Sequence, residues 1–198
     1  MDERTPPQWQ DQPPAGPWLP PELEALCGET LGDVCTDPAH FVCEPALPGW
    51  RVLAGTRRGR LHAHRGTYRE DAFAHGGDRE DGRFWVFCVC DGAGSSRLSR
   101  VGAEITARGM VQRLSGALRA QADSWAALSV AELHPALGAA VVEAARRAVD
   151  FLGEAAAAAG AEPKDFRCTL LLTILYRHGD RTLACLSQVG DGFIAGLN

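Results

Sequence analysis

Apolar residues run without interruption from Phe84 to Cys90, and such a run predicts a strand that is buried on both faces. Upstream, Arg51 to Thr56 and Arg60 to Ala63 flank an Arg57-Arg58-Gly59 turn, which predicts a hairpin. Ala72 to His75 predicts another short strand, because a Gly-Gly-Asp turn follows it. The pattern up to residue 90 therefore favours strands.

Helical periodicity replaces this pattern after the central strand. Apolar residues recur at three- and four-residue spacing from Ser99 to Ala122 and again from Val130 to Ala159, which predicts two consecutive helices. Arg167 to Tyr176 and Arg181 to Val189 then predict a second pair of strands. Because the helices are not interleaved one by one with strands, we expect an α+β layered fold with largely antiparallel strands over residues 49 to 198.

Prolines dominate the preceding segment, residues 1 to 48, and they favour a flexible leader that contains at most one short helix, Pro21 to Leu31. Cys27, Cys35 and Cys43 recur there at equal spacing. A zinc site is conceivable, but zinc ligands usually lie two to four residues apart. Ordinary cysteines are the favoured interpretation, and a partner-binding role for the proline-rich segment is the weaker alternative to a disordered tail.

Composition narrows the function classes. The chain has 198 residues and a formal net charge of -5, which gives no basic footprint for nucleic acid or for an anionic membrane. The amino terminus lacks the apolar core of a secretory signal, and no apolar stretch reaches membrane-spanning length. The seven cysteines are an odd number and several lie in apolar runs, which indicates reduced thiols and a cytoplasmic protein.

Acidic residues stand at three comparable places in this pattern. Glu70-Asp71 precedes a strand, whereas Asp91 and Asp191 each follow an apolar strand and are each followed by glycine. Oxygen ligands of this kind favour Mg²⁺ or Mn²⁺. Two such ions can activate a water that they share and hold a phosphoryl oxygen, so phosphoester hydrolysis is the natural reaction. The competing interpretation is that each Asp-Gly is an ordinary turn.

Three segments, in this order, resemble the amino-terminal motifs of the metal-dependent PP2C-type (PPM) serine/threonine phosphatases, in a bacterial-style variant. They are AGTRRGRLHAHRGTYREDAF from residue 54, FWVFCVCDGAGSSRLSRVGAEI from residue 84, and CTLLLTILYRHGDRTLACLSQVGDGFIAGL from residue 168. The resemblance covers about residues 50 to 198. It implies an α-β-β-α sandwich, a phosphorylated protein as substrate and two or three Mn²⁺ or Mg²⁺ ions.

The resemblance also implies roles for individual residues. Asp91 would bridge two metal ions and Glu70 would bind one of them, so these two are the catalytic candidates. The Gly92 carbonyl would be a further metal ligand. Asp71 would act directly or through a metal-bound water, and Asp191 would contact a third, weaker ion.

The family's phosphate-binding arginine is a point of departure. Many members have it four residues before the Glu-Asp pair, where this chain has Gly66. Arg65 or Arg69 is the candidate substitute, although a shift of one residue along a strand turns a side chain to the opposite face. A solvated surface position is the other interpretation of both. His62 and His64, at alternating spacing, are expected to share one face of a strand.

The resemblance further implies strands and two aspartates beyond the third motif, so the site is expected to be incomplete at its carboxyl-terminal side. Two hypotheses follow. One is a phosphoprotein phosphatase. The other is an inactive PP2C-like remnant that binds phosphoproteins or another partner. The substrate, the opposing kinase and the oligomeric state are not specified by the sequence.

Overall fold

The computed structural model describes residues 11–31 and 34–195, which form four helices, one short 3-10 helix and six strands. In chain order the elements are α1 (Pro21–Leu31), β1 (Ala39–Pro45), β2 (Arg51–Arg57), α2 (Arg60–Arg65), β3 (Ala72–Gly77), β4 (Phe84–Cys90), α3 (Ser99–Ala126), α4 (Val130–Ala158), the 3-10 helix Pro163–Phe166, β5 (Leu170–His178) and β6 (Arg181–Val189). The α+β class is confirmed. No described helix is both long and apolar enough to cross a membrane.

The main sheet has four strands in the order β3-β4-β5-β6, and every neighbouring pair is antiparallel. β4 is an inner strand, as its continuous apolar run predicted, and Phe84, Trp85 and Val86 are fully buried. β1 and β2 form a separate antiparallel hairpin. The largely antiparallel arrangement is therefore confirmed.

The two long helices cover one face of the main sheet. Alternate residues of β4, such as Val86 and Cys88, meet the apolar stripes of α3 and α4. Met110 and Leu114 of α3 and Leu133 of α4 are fully buried in this core. α4 begins at a capping box in which the Ser129 side chain and Glu132 bond each other's backbone N–H groups. The helical layer gives the sheet a rigid backing on that side.

The hairpin covers part of the opposite face. Leu47 and Val52 pack against Trp85 and Leu175 at the end of the sheet where β3 finishes. Towards the other end, β2 and the sheet diverge and leave an open groove of about 930 Å³. Its walls are mostly apolar, and Asp71 and Asp91 lie among its lining residues.

The predicted strand Arg60 to Ala63 is wrong. Residues 60–65 form α2, a short helix that ends at Gly66, whose φ of 64° is a left-handed conformation that favours glycine. β2 instead pairs with β1, which lies before it in the chain. A six-residue helix is too short to show a clear period, so its sequence did not distinguish the two conformations.

Two parts of the segment predicted to be a flexible leader form regular elements, Pro21–Leu31 and Ala39–Pro45. The short helix Pro21–Leu31 is confirmed as α1, and its apolar side packs against α3 and α4, where Leu23 and Cys27 are fully buried. β1 supplies the partner strand of β2. The first ten residues of the predicted leader lie outside the described part of the chain.

Candidate active site

The turn at Asp91-Gly92 is fastened to the residues that lead into β5. The Asp91 N–H donates a hydrogen bond of 3.0 Å to the Thr169 hydroxyl, and the Thr169 N–H donates one of 2.8 Å to the Asp91 carbonyl. The Ala93 N–H donates a bond of 2.9 Å to the Arg167 carbonyl. The carboxylate of Asp91 is exposed at the end of a buried strand, so its backbone is fixed while its side chain faces the groove.

Asp71 lies beside Asp91 because of the register of β3 and β4. Ala72 is paired with Cys90, so the residues just outside this pair, Asp71 and Asp91, are adjacent at the same edge. Burial raises the pKa of Asp71 to about 6, and a hydrogen bond and charge repulsion from Asp91 act in the same direction. The two carboxyl groups are adjacent, so their negative charges repel each other when both are ionised.

Glu70 lies beside Asp71 and Asp91, and we call these three residues the acidic edge. Its carbonyl packs so closely on Gly92 that a Cβ there would lie 2.6 Å from the oxygen, which explains why the turn needs glycine. Its Oε2 lies 3.9 Å from Nε2 of His62, and it would be 3.6 Å from a Cβ on Gly94. Glu70 thus faces the turn that follows Asp91.

Asp191 follows β6 at the same end of the sheet, two strands further along than Asp91. Gly190 and Gly192 on either side of it have φ values of 87° and 116°, which few other residues adopt. The Gln188 side-chain amide donates to the carbonyls of both glycines, at 3.0 and 2.9 Å. A Cβ on Gly190 would meet Thr169 at 2.9 Å, so Thr169 lies between the Asp91 turn and the exposed Asp191 loop.

The two arginines expected to contact substrate have different environments. Arg69 is 8% exposed, and its guanidinium donates to the carbonyls of Cys35, Asp37 and Asp71 at 2.7 to 3.1 Å. These bonds tie the chain before β1 to the start of β3, so the guanidinium is committed to structure. Arg65 is exposed at the end of α2. Of these two arginines, Arg65 is therefore the one available to a substrate phosphate.

Three residues with a part in this region were missed or misplaced by sequence reasoning. His62 lies on a helix, two residues from His64, so the two rings do not share a strand face as expected. The Nδ1 of His62 lies 3.0 Å from the Thr67 hydroxyl, which fixes the ring. Thr169 was not among the predicted site residues, yet its hydroxyl accepts the Asp91 N–H. Its place inside the predicted strand Arg167 to Tyr176 gave no signal for this bond, because the partner lies 78 residues earlier in the chain.

Arg100, near the start of α3, contacts Tyr68 and the segment before α1. Its Nε donates to the Trp18 carbonyl at 3.0 Å, and its guanidinium stacks over Tyr68 at 5.6 Å. The Tyr68 hydroxyl in turn donates to the Gly16 carbonyl at 2.9 Å. Arg100 and Tyr68 thus hold residues 16 to 18 against the outer side of the site.

The donor set suits a hard cation but is sparse. Carboxylate oxygens and a backbone carbonyl are the ligands that Mg²⁺ and Mn²⁺ prefer, and a cation between Asp71 and Asp91 would relieve their repulsion. Within the described ranges, no three His, Cys, Asp or Glu side chains converge on one point that a metal ion would occupy. Cys27 and Cys43, taken from the evenly spaced set, lie on different elements, α1 and β1.

A comparison with protein families shows to which family this chain belongs. The family model described as protein phosphatase 2C matches residues 58–197, which is more than half of the chain. The chain belongs to the protein phosphatase 2C family. Phosphatases of this family generally depend on Mg²⁺ or Mn²⁺ and act on phosphoproteins. No curated protein and no solved structure matches the chain.

The part of this protein phosphatase 2C chain that matches the family model contains every acidic residue of the site. Glu70, Asp71, Asp91 and Asp191 all lie within residues 58–197. The helix α1 and the strand β1 lie outside the match. The acidic edge is thus built on the family's part of the fold, and the elements before it pack on that part.

Proposed function

We propose that this protein hydrolyses phosphoserine and phosphothreonine esters in proteins, with Mn²⁺ or Mg²⁺ bound at the acidic edge. The observation that carries the proposal is the adjacency of Asp71 and Asp91, which the β3-β4 register imposes. Burial raises the pKa of Asp71 to about 6, and the neighbouring Asp91 acts in the same direction. Carboxyl groups that repel each other at the rim of an open groove are suited to binding a divalent cation.

Asp91, Glu70 and the Gly92 carbonyl would hold two ions, with Asp71 contributing directly or through water and Asp191 contacting a third. When bound, such ions lower the pKa of a coordinated water and polarise the phosphoryl group. Thr169 holds the Asp91 backbone in place by two hydrogen bonds, so the carboxylate is aimed before any ligand arrives. Arg65, exposed on α2, is the candidate contact for the substrate phosphate.

Hydrolysis of p-nitrophenyl phosphate, with and without added Mn²⁺ or Mg²⁺, tests this proposal. We expect turnover only with the metal, and we expect Asp91→Asn to reduce the rate to background, because the carboxylate that would bridge the two ions is lost. Asp180→Asn is the matched control, since Asp180 is exposed in the β5-β6 turn at the far end of the sheet. Full activity of Asp91→Asn would refute the assignment.

A second candidate is an inactive PP2C-like module that binds phosphoproteins. It is favoured by the observation that, in the described part of the chain, fewer than three potential side-chain ligands converge on any one point. Titration of the protein with a phosphoserine peptide distinguishes the two candidates. Metal-independent binding without release of inorganic phosphate would support the binding module, and release of phosphate would support the enzyme.

A further inference from the structure

Positive charge is concentrated in one stretch of this acidic chain. Between Arg51 and Arg69 there are six arginines and two histidines but no aspartate or glutamate, whereas the whole chain has a net charge of -5. The stretch includes all of β2 and all of α2. It ends one residue before Glu70, so the most basic part of the sequence leads directly into the acidic edge.

The fold places these cations beside the candidate active site. Thr56 is paired with His40, whose ring stacks on Phe73 at 5.0 Å, so the end of β2 is level with the start of β3. Arg57, the next residue, lines the same groove as Asp71 and Asp91.

The helix α2 continues the cationic surface from the groove to the acidic edge. Its residue His62 lies 3.9 Å from the Glu70 carboxylate. A helix of six residues is only about 9 Å long, so the backbones of Arg60 and Arg65 at its two ends lie within one helix length of His62.

Three of these arginines, Arg57, Arg60 and Arg65, are exposed and form no ion pair with any described residue. We call them the basic rim. By contrast, Arg83 and Arg146 elsewhere on the surface each pair with carboxylates at 2.7 to 2.8 Å. The charge of the basic rim is thus not neutralised within the described fold, and it remains available to an anionic partner.

We infer that Arg57 and Arg60 of the basic rim bind acidic residues that flank the phosphorylated residue of a substrate protein, while Arg65 remains the candidate contact for the phosphate. This inference rests on the proposed function. The phosphate itself would lie at the acidic edge, and the groove beside β2 runs from that edge past Arg57. An extended acidic peptide in this groove would place carboxylates near the basic rim. A long polyanion is disfavoured, because the acidic edge and the net charge of -5 would repel it.

The test compares two phosphoserine peptides of equal length, one with aspartates next to the phosphoserine and one with serines and glycines. The parent protein is expected to prefer the acidic peptide in kcat/KM. The double variant Arg57→Gln/Arg60→Gln is expected to lose about fivefold in kcat/KM for the acidic peptide, mainly through KM, because two exposed charge pairs disappear. Its rates on the neutral peptide and on p-nitrophenyl phosphate should be unchanged.

Arg181→Gln is the matched control, because Arg181 is exposed at the end of β6 that is remote from Asp191. It should keep the preference for the acidic peptide. The preference should also weaken as the salt concentration is raised from about 50 to about 300 mM, because dissolved ions screen the attraction between exposed charges. The single variants Arg57→Gln and Arg60→Gln each give a smaller loss and serve if the double variant is unstable.

Several outcomes would overturn the inference. These are an equal loss on both peptides, no loss on either, or tighter binding of a single-stranded oligonucleotide or an anionic vesicle than of the acidic peptide. If the parent hydrolyses nothing, the proposed function fails. The basic rim is then tested by fluorescence anisotropy of the labelled acidic peptide, whose affinity must still fall in the double variant and not in Arg181→Gln.

Discussion

Thr169 shows how one small side chain orients the candidate active site. Its hydroxyl and its N–H bond the N–H and the carbonyl of Asp91, and its methyl group lies against Gly190 in the loop that carries Asp191. The side chain therefore contacts both loops that follow the apolar strands. Its influence on the site is exerted through the backbone of Asp91.

We expect Thr169→Val to lower the apparent affinity for the Mn²⁺ that hydrolysis requires. Valine has nearly the same shape but leaves the Asp91 N–H without its partner, at a cost of about 1 kcal/mol. The Mn²⁺ concentration for half-maximal activity should rise about fivefold if this cost falls on the metal-binding conformation. Thr169→Ser should restore the parent value. An unchanged Mn²⁺ dependence in the valine variant would mean that the hydroxyl serves packing alone.

At the same scale, the acidic residues were easier to predict than the arginines. Glu70-Asp71 precedes one predicted strand and Asp91 follows another, so their places beside those strands follow from a local pattern, and their metal-binding roles stay predictions. The role of Arg69 does not follow from a local pattern, because its three carbonyl acceptors include Cys35 and Asp37, more than thirty residues away. Only the folded chain decides whether a guanidinium is exposed or spent on backbone carbonyls.

Among the elements, α1 lies in a proline-rich part of the sequence and nevertheless packs into a core of the fold. The helix buries Leu23, Cys27 and Leu31 in a second core with Val101 and Ile105 of α3. The segment before it is also held, because the Gln12 and Ala15 N–H groups bond carbonyls at Ala63 and Gly66. α1 is thus expected to unfold together with the two long helices.

We expect Leu23→Ala to lower the free energy of unfolding by about 3 kcal/mol, because a fully buried leucine leaves a cavity when it is truncated. Glu24→Ala, one residue further on and exposed, is the control and should change the value by less than about 0.5 kcal/mol. Urea unfolding followed by circular dichroism measures both. If the two variants were equally stable, α1 would lie outside the cooperative unit, as a flexible leader would.

For the whole molecule, the contact between the hairpin and the main sheet is the feature that shapes the groove. The rings of His40, Phe73, His75 and Trp85 stack in sequence at centroid distances of 5.0 to 6.3 Å. Glu44 of β1 reaches across to within 3.3 Å of His75 Nδ1 and also pairs with Arg79. This row of rings and charges holds β1 over β3.

This contact should make stability depend on pH. Burial lowers the pKa of His75, with Arg79 and His40 acting in the same direction and Glu44 opposing them. The unfolded chain therefore takes up a proton near pH 6.5, before the folded chain does. The free energy of unfolding should fall as the pH drops from about 6.5 towards the lowered pKa of His75.

We expect His75→Phe, which keeps a ring in the stack, to lose less Tm than the parent between pH 7 and pH 5. His134→Gln, on the exposed side of α4, should follow the parent curve. Thermal unfolding of the three proteins at several pH values measures this difference. Parallel curves for His75→Phe and the parent would show that His75 does not contribute to the acid sensitivity.

The sequence by itself determined the elements whose periodicity is long and regular, together with the acidic residues next to them. β4, α3 and α4 agree closely with the predictions because burial on one or both faces leaves a repeating apolar pattern. The tertiary structure alone decided the conformation of α2, the pairing of β1 with β2 and the roles of Arg69 and Thr169. Arg69 and Thr169 bond backbone groups that lie 32 to 78 residues away, and no local pattern encodes such partners. The helix α2 is too short to show a period, and β1 lies in a proline-rich part of the sequence that does not have a strand pattern.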